Sequence, residues 1–353
     1  MKALVCNATE DGVVVKDVPV PALKDGDILV KMAYVPASPR PSSHTQQAGD
    51  NYYIDTRSPP DAIIGSDFAG VVVSGALPAG TRVAGFVFGG PYTDRGAFAE
   101  YVVTKATLVW TVPESVSLAD AGRFGIPWAF ALQVIIQSQG NGFPLKKARG
   151  WYLVYGGATS VGLFTIQLAK LLGYEVVALA SPATSDLVRR AGADHVFDYK
   201  FPEAALDSIR EVTGGGVTIG FDTIANDDSV RFCLKTFGAL GGTLNIALEY
   251  FDQSIRTSRS DVKVNFTLVY TMLGEEFDFG GRAVPSSIYP RSEENYQFAV
   301  EAYKETPGLI AKGITAPVGD IRGGLEDIAA GLADLKAGKI RGKRLEFKIA
   351  DVE

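Results

Sequence analysis

Cysteine and histidine are scarce in this sequence, which has two of each among its 353 residues. Cys6 and Cys233 cannot form the several disulfides that hold small secreted domains together. A reducing compartment fits this composition, and we expect a cytoplasmic protein. A tetrahedral structural zinc site needs four ligands, which two cysteines and the loop residue His44 cannot supply. We therefore expect no metal.

Long apolar runs and an excess of positive charge are also missing from the sequence. No stretch approaches the roughly 20 consecutive apolar residues that cross a bilayer. Lys and Arg total 34 against 40 Asp and Glu, and the net charge of -6 repels a polyanion. We expect neither nucleic acid nor a membrane as a partner. The hydrophobic fraction of 46% is enough to fill the cores of about two domains.

The pattern of the chain changes near residue 126. Before it, short β-branched runs alternate with turn residues, which is typical of a barrel-like all-β segment. From there to about residue 274, strands and helices alternate, which predicts an α/β domain with a parallel Rossmann sheet. We expect the last strand, residues 345–349, to return to the β domain. The expected domains are therefore 1–125 with 275–353, and 126–274.

A glycine-rich turn lies between a strand and a helix of the second domain. Its sequence is Gly156-Gly157-Ala158-Thr159-Ser160-Val161-Gly162. Glycines let the backbone approach a diphosphate, and the free N–H groups and dipole of the helix N-terminus attract its charge. Thr159 replaces the middle glycine of the usual fingerprint. Its side chain narrows the space between the backbone and the diphosphate, although its hydroxyl can donate to a phosphate oxygen. We expect residues 156–161 to bind a dinucleotide.

The end of the second strand indicates which dinucleotide binds. NAD-specific sites place Asp or Glu there, whereas this strand ends with Ala180-Ser181. Ser181, Arg189, Tyr199 and Lys200 instead form a candidate pocket for a 2′-phosphate, because Arg binds phosphate through paired hydrogen bonds. For Arg189 or Arg190 taken alone, the solvated face of a helix is the favoured interpretation. We expect NADPH as the cofactor.

Three further segments are expected to meet the cofactor. Asp222 and Thr223 end the fourth Rossmann strand, and Leu248 follows the fifth. The carboxyl ends of parallel strands face the ligand, so all three are candidate cofactor contacts. Lys343, near the C-terminus, is a candidate phosphate contact, with a merely exposed lysine as the alternative.

Several motifs in order carry a family resemblance over nearly the whole chain. Residues 65–70 (Gly-Ser-Asp-Phe-Ala-Gly), 96–101 (Gly-Ala-Phe-Ala-Glu-Tyr) and 153–200 are similar to zinc-independent, quinone-oxidoreductase-like medium-chain dehydrogenases/reductases. The turn at 155–159, Ser181-Pro182 and the tail 336–343 most resemble trans-acting enoyl reductases of fungal polyketide pathways. The resemblance implies a GroES-like β-barrel domain in addition to the Rossmann domain. Zinc alcohol dehydrogenases have His and Glu where this chain has Ser66 and Asp67, so one metal ligand is missing.

The resemblance also implies a reaction. Hydride passes from the nicotinamide to the β-carbon of an activated carbon–carbon double bond, and the α-carbon then receives a proton. Tyr52 and Tyr53 are the candidate proton donors, with Arg40 as an electrostatic helper. The alternative is a pair of packed tyrosines, with water supplying the proton. We expect Trp128 and the aromatic insertion 277–289 to line the acceptor site, or the aromatics to form a local core.

Three functions remain open from the sequence. The first is an enoyl reductase acting in trans on a carrier- or CoA-bound intermediate of a polyketide synthase. The second is a reductase of free quinones or enals, and the third is a non-catalytic NADPH-binding sensor or structural subunit. A monomer and a homodimer are both compatible with the sequence.

Overall fold

The computed structural model describes residues 1–7, 12–37, 58–248, 252–280 and 286–352. The described residues up to 129 and from 270 onward form one compact unit, and those between 130 and 269 form a second. The sequence placed these boundaries at 125/126 and 274/275. Among the described residues, no helix combines the length and apolar character needed to cross a membrane.

The first unit is rich in β-structure. Its strands are β1 (Lys2–Cys6), β2 (Val13–Asp17), β3 (Asp27–Pro36), β4 (Asp67–Gly75), β5 (Arg82–Phe86), β6 (Tyr101–Lys105), β7 (Val109–Thr111), β14 (Phe277–Asp278), β15 (Ile288–Tyr289), β16 (Gly319–Arg322) and β17 (Arg344–Lys348). Seven of them form one sheet in the order β16-β17-β3-β4-β5-β7, with β6 on β3. Strand β17 pairs antiparallel with β3, so the last strand completes a sheet that begins near the N-terminus.

Alternation of side chains builds the core of this sheet. Strand β3 buries Ile28, Val30 and Met32 on one face, at every second position. These residues pack with Phe68 of β4 and Phe347 of β17 in a single apolar cluster. The helices of the first unit are α1 (Leu118–Gly122), α2 (Ile126–Leu132), α7 (Glu293–Ala311) and α8 (Ile328–Lys336).

The second unit is a six-stranded sheet in which every neighbouring pair is parallel. Its strands are β8 (Trp151–Tyr155), β9 (Glu175–Ala180), β10 (His195–Asp198), β11 (Ile219–Asp222), β12 (Gly242–Ile246) and β13 (Val262–Phe266). The helices are α3 (Ser160–Leu172), α4 (Ser185–Arg190), α5 (Pro202–Thr213) and α6 (Asp227–Thr236), and a π-helix covers Gln133–Ser138.

The strand order β10-β9-β8-β11-β12-β13 is that of a Rossmann sheet. The chain starts in the centre at β8, winds outward through β9 and β10, and returns to continue at β11 on the other side of β8. Ligands of such sheets bind where the winding reverses, at the carboxyl ends of β8 and β11. The expected fold class is therefore confirmed, and the reversal point is where the glycine turn lies.

Candidate functional site

The glycine turn after β8 is packed too closely to admit side chains. Gly156 has φ +78°, and a Cβ atom there would lie 2.4 Å from the Thr223 hydroxyl oxygen. A Cβ on Gly162 would lie 2.4 Å from the carbonyl oxygen of Gly156. Because a side chain approaches the backbone at Gly156 and backbone approaches backbone at Gly162, the turn and the start of helix α3 hold their shape only with glycine.

The N-terminus of α3 presents unpaired amide groups. Thr159 caps the helix, since its side-chain oxygen accepts from the Gly162 amide at 2.9 Å. Within the described residues, the N–H groups of Ala158, Ser160 and Val161 have no protein acceptor. Three free donors at the positive end of a 13-residue helix form a site suited to an anion such as a diphosphate.

The Thr159 hydroxyl is engaged within the protein. It lies 3.1 Å from the hydroxyl of Thr223, which donates to the carbonyl oxygen of Tyr155 at 2.9 Å. The sequence suggested that the Thr159 hydroxyl donates to a phosphate oxygen. In the structure its contacts are the helix cap and Thr223, so the backbone amides are the groups left to receive an anion.

Asp222, at the end of β11, is fully buried and holds its own loop. Its carboxylate accepts from the amides of Ile224 and Ala225, both at 2.9 Å, and from the Ser229 hydroxyl at 2.6 Å. Burial raises the pKa of Asp222 to about 6, although these three donors act in the opposite direction. Through these hydrogen bonds, the Asp222 carboxylate fixes the loop that carries Thr223.

The sheet register gathers most of the expected cofactor residues at one edge. Tyr155 pairs with Leu179 and Asp222, and Asp222 pairs with Ile246, so the segments after β8, β9, β11 and β12 start side by side. This edge therefore holds Gly156, Gly157, Ala158, Thr159, Ser160, Val161, Ser181, Asp222, Thr223 and Leu248.

The expected 2′-phosphate pocket lies at the outer end of the same edge. Ala180 pairs with Asp198, which places Ser181 next to Tyr199 and Lys200. The Ser181 hydroxyl lies 3.0 Å from that of Thr184. Arg189 follows in α4, where its exposed guanidinium donates to Asp186 at 3.1 Å. No carboxylate stands at the position of Ser181, and the pocket residues are open to solvent.

Four of the expected residues are not part of this edge as the structure describes it. Lys343 belongs to the first unit and is exposed in the turn before β17. Arg40, Tyr52 and Tyr53, together with His44, fall outside the described residues.

Asp67, next to Ser66 at the position of the missing zinc ligand, forms a buried ion pair. Asp67 pairs with Arg344 of β17, and its other carboxylate oxygen accepts from the amide of Ile126 at 2.6 Å, at the start of α2. Both oxygens of Asp67 are thus in use, and Ser66 offers only a hydroxyl, so these residues do not fit a zinc ion. In the described ranges, no group of three or more His, Cys, Asp or Glu side chains could hold a metal.

Sequence reasoning missed this ion pair, although a signal was present. Asp67 follows Ile63 and Ile64, and Arg344 precedes Leu345 and Phe347, so both charges stand in apolar strands. Charged residues in such strands are buried only when paired. Their partner cannot be named from the sequence, because 277 positions separate them.

The aromatic insertion packs on itself and on earlier parts of the first unit. Phe88 stacks on Tyr270 at 4.0 Å between ring centroids, and Phe277 stacks on Tyr289 at 5.4 Å. Phe277 is buried, whereas Phe279 and Tyr289 are half-buried. Trp128 is also fully buried and donates to the Thr306 hydroxyl at 2.9 Å. These contacts favour a local core for most of the aromatic residues.

Known proteins share this architecture and much of this sequence. Residues 24–114 match the family described as "Alcohol dehydrogenase GroES-like domain", and residues 160–279 match "Zinc-binding dehydrogenase". Trans-enoyl reductase ACTTS2 of Alternaria alternata is 36% identical over 95% of both chains. Trans-enoyl reductase thnE of Trichoderma harzianum is 33% identical over 99% of this chain and 96% of its own. The solved structure of mycobacterial Rv1454c complexed with NADPH has a TM-score of 0.73 and 22% identity, covering 99% of each chain.

Proposed function

This chain belongs to the trans-enoyl reductases of the medium-chain dehydrogenase/reductase superfamily, and from that membership we propose that it reduces the carbon–carbon double bond of an enoyl thioester. The observation that carries the proposal is the match to ACTTS2 over 95% of both chains. The substrate is a polyketide intermediate bound to the acyl carrier domain of a synthase or to CoA, and the enzyme acts in trans as a separate chain.

The cofactor is NADPH, which when bound supplies the hydride that adds to the β-carbon. Three features support it: the free amides at the start of α3, the reversal point of the sheet, and the missing carboxylate at Ser181. The residues proposed for the cofactor site are Gly156, Gly157, Ala158, Thr159, Ser160, Val161, Ser181, Arg189, Tyr199, Lys200, Asp222, Thr223, Leu248 and Lys343.

The test is the oxidation of NADPH by a panel of acceptors. The panel holds an enoyl group on a carrier domain, on CoA and on N-acetylcysteamine, together with a quinone and an enal, and NADH is run in parallel. We expect the carrier- and CoA-bound thioesters to be the best acceptors and NADPH to be preferred. Turnover of the quinone or enal alone would indicate a reductase of free small molecules. NADPH binding without turnover of any acceptor would indicate a non-catalytic subunit.

The proton that completes the reaction is assigned to Tyr52 or Tyr53, with Arg40 as helper. Loss of a general acid lowers the rate by about 10²–10⁴-fold. We therefore expect that much loss of kcat in either Y52F or Y53F, with NADPH affinity retained. If both variants keep the rate of the natural protein, water is the proton source and the tyrosines only pack.

A further inference from the structure

One loop side chain connects the glycine turn to the strand beside it. Thr223 donates its hydroxyl to the Tyr155 carbonyl oxygen at 2.9 Å, and the Gly156 carbonyl oxygen lies at 3.2 Å. We propose that Thr223 is a positioning residue, whose hydroxyl holds the turn so that the free amides of α3 point at the diphosphate. This inference rests on the proposed NADPH site.

The direction of the hydrogen bonds follows from counting protons. Each threonine hydroxyl has one proton to donate. The Thr223 proton goes to Tyr155, so the contact of 3.1 Å with Thr159 requires Thr159 to be the donor. The Thr159 oxygen in turn accepts from the Gly162 amide. A one-way chain therefore runs from the helix cap to the strand end, and it uses both hydroxyl protons.

The turn and the loop are fitted to each other sterically as well. The position that a Cβ of residue 156 would occupy is 2.4 Å from the Thr223 hydroxyl oxygen and 2.9 Å from Cγ1 of Ile224. The glycine thus makes room for the hydroxyl, and the hydroxyl binds the carbonyls on both sides of that space. A shift of the loop would move the turn.

Asp222 fixes the conformation of this loop through hydrogen bonds. Its carboxylate accepts from Ile224, Ala225 and Ser229, as described above. Ala225 is fully buried and has φ +54°, a conformation that is strained for a non-glycine residue. Strain of this kind persists only where the surroundings enforce it, and it concentrates at binding sites. Here the strained residue lies two positions after the hydroxyl that holds the turn.

The Ser229 end of the loop is fixed by helix α6. Ser229 and Asn226 form a reciprocal cap at 2.8 and 3.0 Å, and the Ser229 hydroxyl also donates to Asp222. Thr223 therefore lies between two fixed points, the strand end and the start of α6. A residue held in this way can transmit a fixed position to the glycine turn.

The decisive variant is Thr223→Val, which keeps the shape and removes the hydroxyl. By calorimetry, we expect its Kd for NADPH to rise about tenfold, or about 1.4 kcal/mol of binding free energy, because the turn loses the hydrogen bond that holds it. The Kd for adenosine 2′-monophosphate, which lacks the diphosphate, should not change. Thr223→Ser should restore most of the affinity for NADPH.

The matched control is Thr236→Val in the same unit. Thr236 is fully buried, whereas Thr223 is half-buried, and Thr236 donates to the Cys233 carbonyl oxygen at 2.6 Å, at the far end of α6. We expect this variant to lower the unfolding midpoint at least as much as T223V does while leaving NADPH affinity unchanged. The inference is overturned if T223V binds NADPH as tightly as the natural protein. It is also overturned if T223V weakens the binding of NADPH and of adenosine 2′-monophosphate by the same factor. If the natural protein itself binds no NADPH, the proposed function fails instead.

Discussion

A glycine substitution usually combines two effects, the strain of a positive φ and the steric contacts of the new methyl group. Residue 156 allows the two to be separated. Gly156→Ala meets the Thr223 hydroxyl at 2.4 Å and also forces alanine to φ +78°, whereas Gly214→Ala, at φ +69°, has nothing within 4 Å. Both variants carry the backbone cost of about 1–2 kcal/mol. We expect only G156A to raise the Kd for NADPH, by tenfold or about 1.4 kcal/mol. Equal affinities in calorimetry of the two variants would show that the packing of the turn has no influence on binding.

The sequence predicts the identity of the turn residues better than their contacts. Gly156 and Gly162 were recognisable because a strand precedes them and an apolar helix follows. The contact between the Thr159 and Thr223 hydroxyls was not recognisable, since the two residues are 64 positions apart and are brought together by the register of two strands. The orientation of Asp222 depended in the same way on Ser229, a residue with no marked signal of its own.

At the scale of elements, a buried ion pair connects β4, β17 and the start of α2. Arg344 of β17 neutralises Asp67 of β4, and Asp67 binds the first amide of α2. Removing one partner of a buried pair costs about 3–5 kcal/mol, because the other charge is left in an apolar surrounding. We expect Arg344→Met to lower the unfolding free energy by that amount, and the double variant D67L/R344M to recover most of it.

The control for the buried pair is an exposed one. Lys235 and Glu203 lie 3.4 Å apart, with side chains 57% and 77% exposed. Solvent-exposed pairs contribute only about 0–1 kcal/mol. Urea denaturation should therefore show K235M within about 0.5 kcal/mol of the natural protein. A comparable loss in K235M and R344M would contradict a special role for burial.

The sequence predicts most closely those elements whose ends are marked by a local signal such as glycine. The sequence pattern predicts a helix from Ser160 to Leu172, and α3 spans these residues, because the glycine turn starts it and Gly173, in the left-handed region at φ +104°, ends it. The pattern also predicts a helix near Glu294 to Lys304, but α7 continues to Ala311 through Pro307. Thr306 and Leu309 extend the buried face formed by Ala302, so tertiary packing overrides the proline.

At the scale of the whole molecule, three buried carboxylates among the described residues have raised pKa values. Burial raises the pKa of Asp67, that of Asp222 to about 6 and that of Glu346 to about 8. A group with a raised pKa binds its proton more tightly in the folded than in the unfolded chain. Its contribution to stability is present at acidic pH and is lost as the pH rises through the folded value. We therefore expect the free energy of unfolding to fall between about pH 5 and pH 8.

Glu346 contributes to this trend because burial raises its pKa from 4.5 to about 8. Burial outweighs Arg123, which donates to its carboxylate at 3.1 Å, and Arg344. Glu346→Gln keeps an acceptor for Arg123 and removes the titration, so it should flatten the slope by up to about 1.4 kcal/mol per pH unit. The measurement is urea denaturation at several pH values, with the exposed Glu203→Gln as control. An unchanged slope in E346Q would mean that the ionised carboxylate is stable beside its two arginines and that the pH dependence arises elsewhere.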